Sequence, residues 1–307
     1  MSPRAERSMV DRAEFTSYYG RPILKEPAWK QPDVPLYLFL GGLAGSSASM
    51  SLLAELTGRP KLAHVAKLAA AGGASASVVA LVHDLGKPTR FLHMLRVFKP
   101  TSPLSVGSWI LAPFSGVAAV SAASAVTGVL PGIGRLAGIA AGLLGPAMCT
   151  YTAVLLSDTA TPSWHAAHGD LPILFAGSAL TSGAGVALLA APASETGPVV
   201  RAALVGTAAE LIATHRLETG LGLVSEPYRT GRAGRLLKAA RALTAVGAGL
   251  SLAARRSRPA AVAGGVAFLA AGLCTRFGVY QAGVESAKDP KYVVIPQRAR
   301  MAERDSS

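Results

Sequence analysis

The sequence predicts an all-α integral membrane protein of about eight transmembrane helices. Three observations lead there. Half of the 307 residues are hydrophobic and only 15% are charged, where a soluble domain carries about 25% charge. The mean hydropathy is +0.39. The apolar residues fall in long, nearly charge-free blocks, and a block of roughly 18 residues or more reads as a membrane span, not as the amphipathic stripe of a soluble helix. Alanine and glycine dominate these blocks. Small residues let helices pack closely where lipid gives no hydrophobic drive for association.

Residues 1–34 are polar and basic with no apolar core of their own, and they are not expected to be a signal peptide. A membrane domain follows over 35–284. Its first span runs from Pro35 to Glu55, with Pro35 suited to a first helical position. The second covers Leu62 to Leu85, and a polar loop follows over 86–105. Further spans are expected over Val106 to Val129, Arg135 to Leu156, Leu171 to Ala191, Val199 to Leu217, Leu236 to Ala254 and Ala260 to Ala282. The seventh of the eight carries Lys238 and Arg241 in its first turns, and both must snorkel. Residues 285–307 read as a polar C-terminal tail.

The net charge of +13 does not point to nucleic acid, because Lys and Arg lie mostly between and beside the apolar blocks. The side holding the N-terminus, the loops after spans two, four and six, and the C-terminus carries about 19 of them, against about 7 opposite. Positive-inside placement puts both termini in the cytoplasm, in a multi-pass protein of the inner or plasma membrane. The cysteines, Cys149 and Cys274, lie in apolar segments with no neighbour at ligand spacing, so no iron–sulfur cluster or structural zinc is expected on cysteine alone.

The loop after the second span is the most unusual segment. From Arg90 onward Phe91, Leu92, Leu95 and Phe98 recur at helical spacing, which predicts a short amphipathic helix in the membrane interface, either a lipid-facing connector or a lid over a surface site. Pro100 and Pro103 turn the chain back. The run Asp84-Leu85-Gly86-Lys87-Pro88-Thr89-Arg90-Phe91-Leu92, followed by Pro100-Thr101-Ser102-Pro103-Leu104-Ser105-Val106-Gly107, resembles the signature loop of the NrfD/PsrC family, membrane subunits of polysulfide, nitrite, formate and related reductase complexes. Matching pieces are Tyr19-Gly20-Arg21-Pro22 with Trp29, Tyr37 to Gly45, Tyr151 to Leu156, Glu226-Pro227-Tyr228 and Gly231-Arg232-Ala233-Gly234.

The resemblance implies two four-helix bundles without haem, the first binding a quinone (menaquinone or ubiquinone). It also implies a ferredoxin-like iron–sulfur partner subunit that contacts a molybdopterin catalytic subunit. The family's quinone-contacting tyrosine matches Tyr151. Seven residues before Asp158, it would lie roughly 10 Å below the surface, where a phenol can hydrogen-bond a quinone carbonyl. Early in the first span the polar groups are Tyr37, Ser46, Ser47 and Ser49, and with Phe91 over the pocket the expected quinone contacts are Tyr151, Tyr37 and Phe91.

Candidate proton-transfer groups are His83, Asp84 and Glu210. His83 beside Asp84 reads either as a proton relay or as an interfacial helix-end histidine near carbonyls. Glu210 and Arg276 lie at similar depth in the sixth and eighth spans, and a salt bridge is the simplest way to hold both in lipid. Two readings compete with a quinone-linked subunit. A di-haem cytochrome b-type anchor needs paired histidines at matched depth; His83 and His215 form one such pair and no second exists. A secondary transporter would show paired inverted repeats, and none is evident. The topology gives the first prediction. Cysteines placed by Ser105→Cys and Ser307→Cys label from the same side of intact membranes; labelling from opposite sides contradicts it.

Overall fold

The computed structural model of the chain describes residues 23–87 and 89–305. The Tyr19-Gly20-Arg21-Pro22 match, Pro88 and Ser307 lie outside them. The described residues form twelve α-helices and no strand: α1 (Asp33–Leu56), α2 (Pro60–Leu85), α3 (Thr89–Met94), α4 (Pro103–Thr127), α5 (Pro131–Ser157), α6 (Pro162–Ala166), α7 (Leu171–Ala190), α8 (Gly197–Thr219), α9 (Glu226–Arg229), α10 (Gly231–Leu252), α11 (Arg258–Lys288) and α12 (Lys291–Asp305).

The eight long helices fall where hydropathy predicts, with a consistent displacement at their starts. Pro60, Pro103 and Pro131 open α2, α4 and α5, two to four residues ahead of the apolar blocks. Proline's fixed φ suits the first helical position and its missing N–H is not needed there, so the helix begins in the interface before the apolar run does. The expected polar tail is largely helical: α11 runs on to Lys288, and α12 occupies Lys291–Asp305. α12 is tied back by Lys291 Nζ, 3.0 Å from Glu226 Oε2, and that contact holds the Glu226 carboxyl below the usual carboxylate range.

Seven of the described helices are long and apolar enough to cross a membrane: α1, α2, α4, α5, α7, α8 and α11. The chain is therefore an all-α, multi-pass membrane protein. α10 is not among the seven, because Arg232, Arg235, Lys238 and Arg241 crowd its first half. Beside an apolar core, Ser46, Ser77, Ser182, Thr181, Thr214 and Thr275 are buried, while Val79, Leu136, Leu143, Val205 and Ile212 are exposed. Lipid accepts the apolar surface, and hydroxyls are kept inside where backbone carbonyls can receive them.

α1 packs on α2 and α5, and α4 packs on both of these; α7 packs on α8 and α11, and α10 packs on α11 and α8. α1 and α7 meet in the middle. α1 and α5 come close enough to touch backbone to backbone, since a Cβ added at Gly45 would sit 2.6 Å from the Gly145 carbonyl. Gly45→Val should therefore separate α1 from α5 and lower stability by about 1–3 kcal/mol. Gly72, with nothing within 4 Å of an added Cβ, should accept alanine without loss. Thermal unfolding in detergent checks both, and equal Tm values for the two variants would contradict the close contact.

Candidate functional site

α1 starts, and α5 ends, at the same end of the molecule. This places Tyr37, in the second turn of α1, beside Tyr151, near the end of α5. Their hydroxyls hydrogen-bond each other and their rings meet edge-on, centroids 6.4 Å apart at 71°. Both are buried, at 4% and 6% exposure. All four helices of the first half shape the pair. On α4, Gly107 lies so close to the Tyr151 ring that an added Cβ would be 2.7 Å from Cε2. On α2, the Ser77 hydroxyl donates to the Tyr37 carbonyl at 3.2 Å.

From Tyr151 a cleft of about 660 Å³ opens to the surface. The Pro100–Pro103 turn walls one side, Asp158 at the end of α5 another, and His165 and His168 the mouth. Each histidine directs Nδ1 at a main-chain oxygen, His165 at Ser157 (3.2 Å) and His168 at His165 (3.1 Å). A carbonyl can only accept, so in these contacts the hydrogen sits on Nδ1 and Nε2 is the basic nitrogen. The turn itself is pinned by Ser105, whose hydroxyl donates to the Val97 carbonyl at 3.2 Å and accepts from the Lys99 amide at 3.0 Å.

The other expected residues lie elsewhere. α3 is helical only over Thr89–Met94, shorter than the predicted amphipathic stretch. Phe91 on it is half-buried against the core cluster that includes both tyrosines, while Phe98 leaves the helix to meet Trp109 edge-on at 5.9 Å. His83 is exposed and pairs with Asp33 (Nδ1 to Oδ2, 2.8 Å); Asp84 accepts from the Lys30 amide at 2.8 Å. The two clasp residues 30–33 against the end of α2 and do not line the cleft. His165, His168 and Asp158 do. In the sequence they sit in a short acidic, histidine-bearing loop, and their one signal for the cleft is that this loop directly follows the helix end that carries Tyr151.

The expected Glu210–Arg276 salt bridge is not formed. Both side chains are buried, but the Glu210 carboxylate accepts from three hydroxyls on three helices: Thr275 at 2.7 Å, and Thr181 and Thr244 at 3.3 Å. Arg276 donates instead to the carbonyls of Leu38 on α1 (3.3 Å) and Phe175 on α7 (3.0 Å), with its guanidinium 3.7 Å from the Phe175 ring centroid. Depth alone paired the two residues. Successive residues on a helix are turned by about 100°, so Thr275 faces Glu210 and Arg276 faces the junction of α1 and α7.

A family model described as polysulphide reductase, NrfD, matches residues 26–198, a stretch that contains the tyrosine pair and the whole cleft wall. No curated protein gives a significant match. The Glu210 geometry predicts that Thr275→Val, which removes the shortest donor to a buried carboxylate, costs about 1–3 kcal/mol, and that Thr275→Ser restores most of it. Thermal unfolding of the two variants in detergent is the check; equal losses in both would mean that methyl packing, not the hydroxyl, matters there.

Proposed function

The chain belongs to the NrfD, or polysulphide reductase, family, and from that premise we propose that it is the haem-free, quinone- or quinol-binding membrane subunit of a multi-subunit oxidoreductase. In this reading all eight long helices cross the inner or plasma membrane as two four-helix bundles, with both termini cytoplasmic and the basic side chains of α10 snorkelling to the interface. Electrons pass to or from a ferredoxin-like iron–sulfur subunit, and through it a molybdopterin catalytic subunit, seated on the face that carries the cleft.

The observation that carries the reading is buried Tyr151 lining the cleft, with Tyr37 hydrogen-bonded to it from behind. The residues present fit a quinone head group. The cleft is within the usual size of small-molecule sites, and its walls are mostly apolar with a few convergent polar groups. Tyr151 would hold the head group by donating its hydroxyl to a carbonyl oxygen, with Tyr37 fixing the direction of that hydroxyl and Phe91 packing over the first bundle. When bound, the quinone supplies coupled two-electron, two-proton chemistry. His165 and His168 would accept and release protons at Nε2 at the cleft mouth, with Asp158 in the same wall. His83, exposed, and Asp84, half-buried, hold residues 30–33 against the end of α2 outside the cleft. Glu210 is assigned a proton-holding role in the second half, because an intramembrane carboxyl is costly to insert and marks function by default.

The test is quinol-dependent electron transfer in the assembled, reconstituted complex. Tyr151→Phe removes one hydrogen bond worth about 1 to 1.5 kcal/mol, so the quinol KM should rise about tenfold with assembly intact. His165→Gln should lower kcat more than it raises KM. His83→Gln should change neither by more than about twofold. Unchanged kinetics in both Tyr151→Phe and His165→Gln would refute the site.

A further inference from the structure

The end of the molecule opposite the cleft has its own concentration of charge. α1 ends there at Leu56, α2 begins at Pro60, α4 ends at Thr127 and α5 begins at Pro131. A cavity of about 320 Å³ opens among these ends, and Glu55, Arg59, His64, Lys67 and Arg135 line it. Glu55 and Lys67 neutralise each other in an ion pair. Arg59 gives one hydrogen bond, Nη1 to the Thr57 carbonyl at 3.1 Å. Among the described residues neither Arg59 nor Arg135 meets a carboxylate within 4.0 Å. Two guanidinium groups and an imidazole thus face one small cavity whose only acid is already paired.

Positive-inside placement does not account for them, because this is the side poorer in Lys and Arg. Structural use does not either. Arg258, nearby, shows what that looks like: it is spent on the Leu188, Leu189 and Ala191 carbonyls at the end of α7. The helix ends around the cavity also expose large apolar side chains, Leu53 and Leu56 on α1, Val126 on α4, and Ile133 and Leu136 on α5. A cationic recess at the level where helices leave the bilayer, with apolar surface beside it, suits a charged head group and the acyl chains below it.

We propose that this cavity binds the phosphodiester of an anionic phospholipid, with Arg59 and Arg135 donating charge-assisted hydrogen bonds to its oxygens and His64 at the rim. The guanidinium fork matches phosphate oxygens in pairs, and at the bilayer edge it is less screened than in open water. The same oxygens are offered by inorganic phosphate, but the apolar surround favours the lipid.

The experiment follows the Tm of the full-length chain in detergent while phosphatidylglycerol, phosphatidylcholine with the same acyl chains, or inorganic phosphate is added, since a ligand of the folded state raises Tm with its concentration. Phosphatidylglycerol should raise Tm and the other two should not. In the double variant Arg59→Gln/Arg135→Gln, about tenfold more phosphatidylglycerol should be needed for the same shift. Arg255→Gln/Arg256→Gln, equally basic positions outside the cavity, should respond as the unaltered chain does. An unchanged response in the first double variant, an equal loss in the second, or an equal shift with phosphatidylcholine overturns the proposal; an equal shift with inorganic phosphate replaces the lipid by a free anion and overturns it too. Should the double variant fail to fold, Arg135→Gln alone, at an exposed position, is compared with the unaltered chain for phosphatidylglycerol retention by native mass spectrometry. Equal retention then overturns the proposal.

Discussion

The guanidinium of Arg276 is where the two halves of the protein are joined. It projects from α11 and donates to one carbonyl on α1 and another on α7, with the Phe175 ring against its face. The approach needs Gly42, where an added Cβ would stand 3.1 Å from Nη2. A buried cation with no carboxylate in ion-pair contact is costly, and carbonyl dipoles and an aromatic face offset part of that cost. The carbonyl it takes on α1 belongs to Leu38, next to Tyr37. The rotation of α1, and so the position of Tyr37 against Tyr151, is fixed from the second half of the molecule.

That dependence explains what could be read from the sequence and what could not. Helices declare themselves through runs of apolar residues, and each run is a local property; hence the eight long helices stand where hydropathy put them. Their starts are not legible in hydropathy, because a proline sets a helix beginning in polar surroundings, as at Pro131. The C-terminal segment is not legible for the converse reason: α12 is polar and docks through Lys291 and Glu226, which no local pattern reveals. Tyr37 and Tyr151 were each identifiable, yet their mutual hydrogen bond depends on the angle at which α1 lies on α5. Close approach at Gly45 and Gly145 sets that angle, and it cannot be counted along one chain segment. The same blindness to rotation paired Glu210 with Arg276, when the neighbouring Thr275 is the residue that faces the acid.

The two ends of the membrane domain use charge differently. At the cleft end, polar groups are engaged in specific local bonds: His83 with Asp33, Asp84 with the Lys30 amide, His165 with the Ser157 carbonyl. The cleft itself is lined by Tyr151, Asp158 and the two histidines among mostly apolar side chains. At the other end, Arg59 gives one hydrogen bond, to the Thr57 carbonyl, and among the described residues neither Arg59 nor Arg135 meets a carboxylate. Between them several buried hydroxyls return their hydrogens to main-chain carbonyls, as Ser182 does to Ser178 and Thr214 does to Glu210, which lowers the cost of those polar groups in a dry medium.

The composition of α10 bears on how the molecule is made. With Arg232, Arg235, Lys238 and Arg241 in its first half, this helix on its own partitions poorly from the insertion machinery into lipid, each charge near the centre of a span costing about 2.5 to 3.5 kcal/mol on insertion scales. Its main packing partner, α11, is apolar, 31 residues long and next in the chain. In the proposed eight-span arrangement, α10 would enter the bilayer as one arm of a hairpin with α11. The same helix carries Arg276, so the bonds it makes to α1 and α7 depend on α11 being in place.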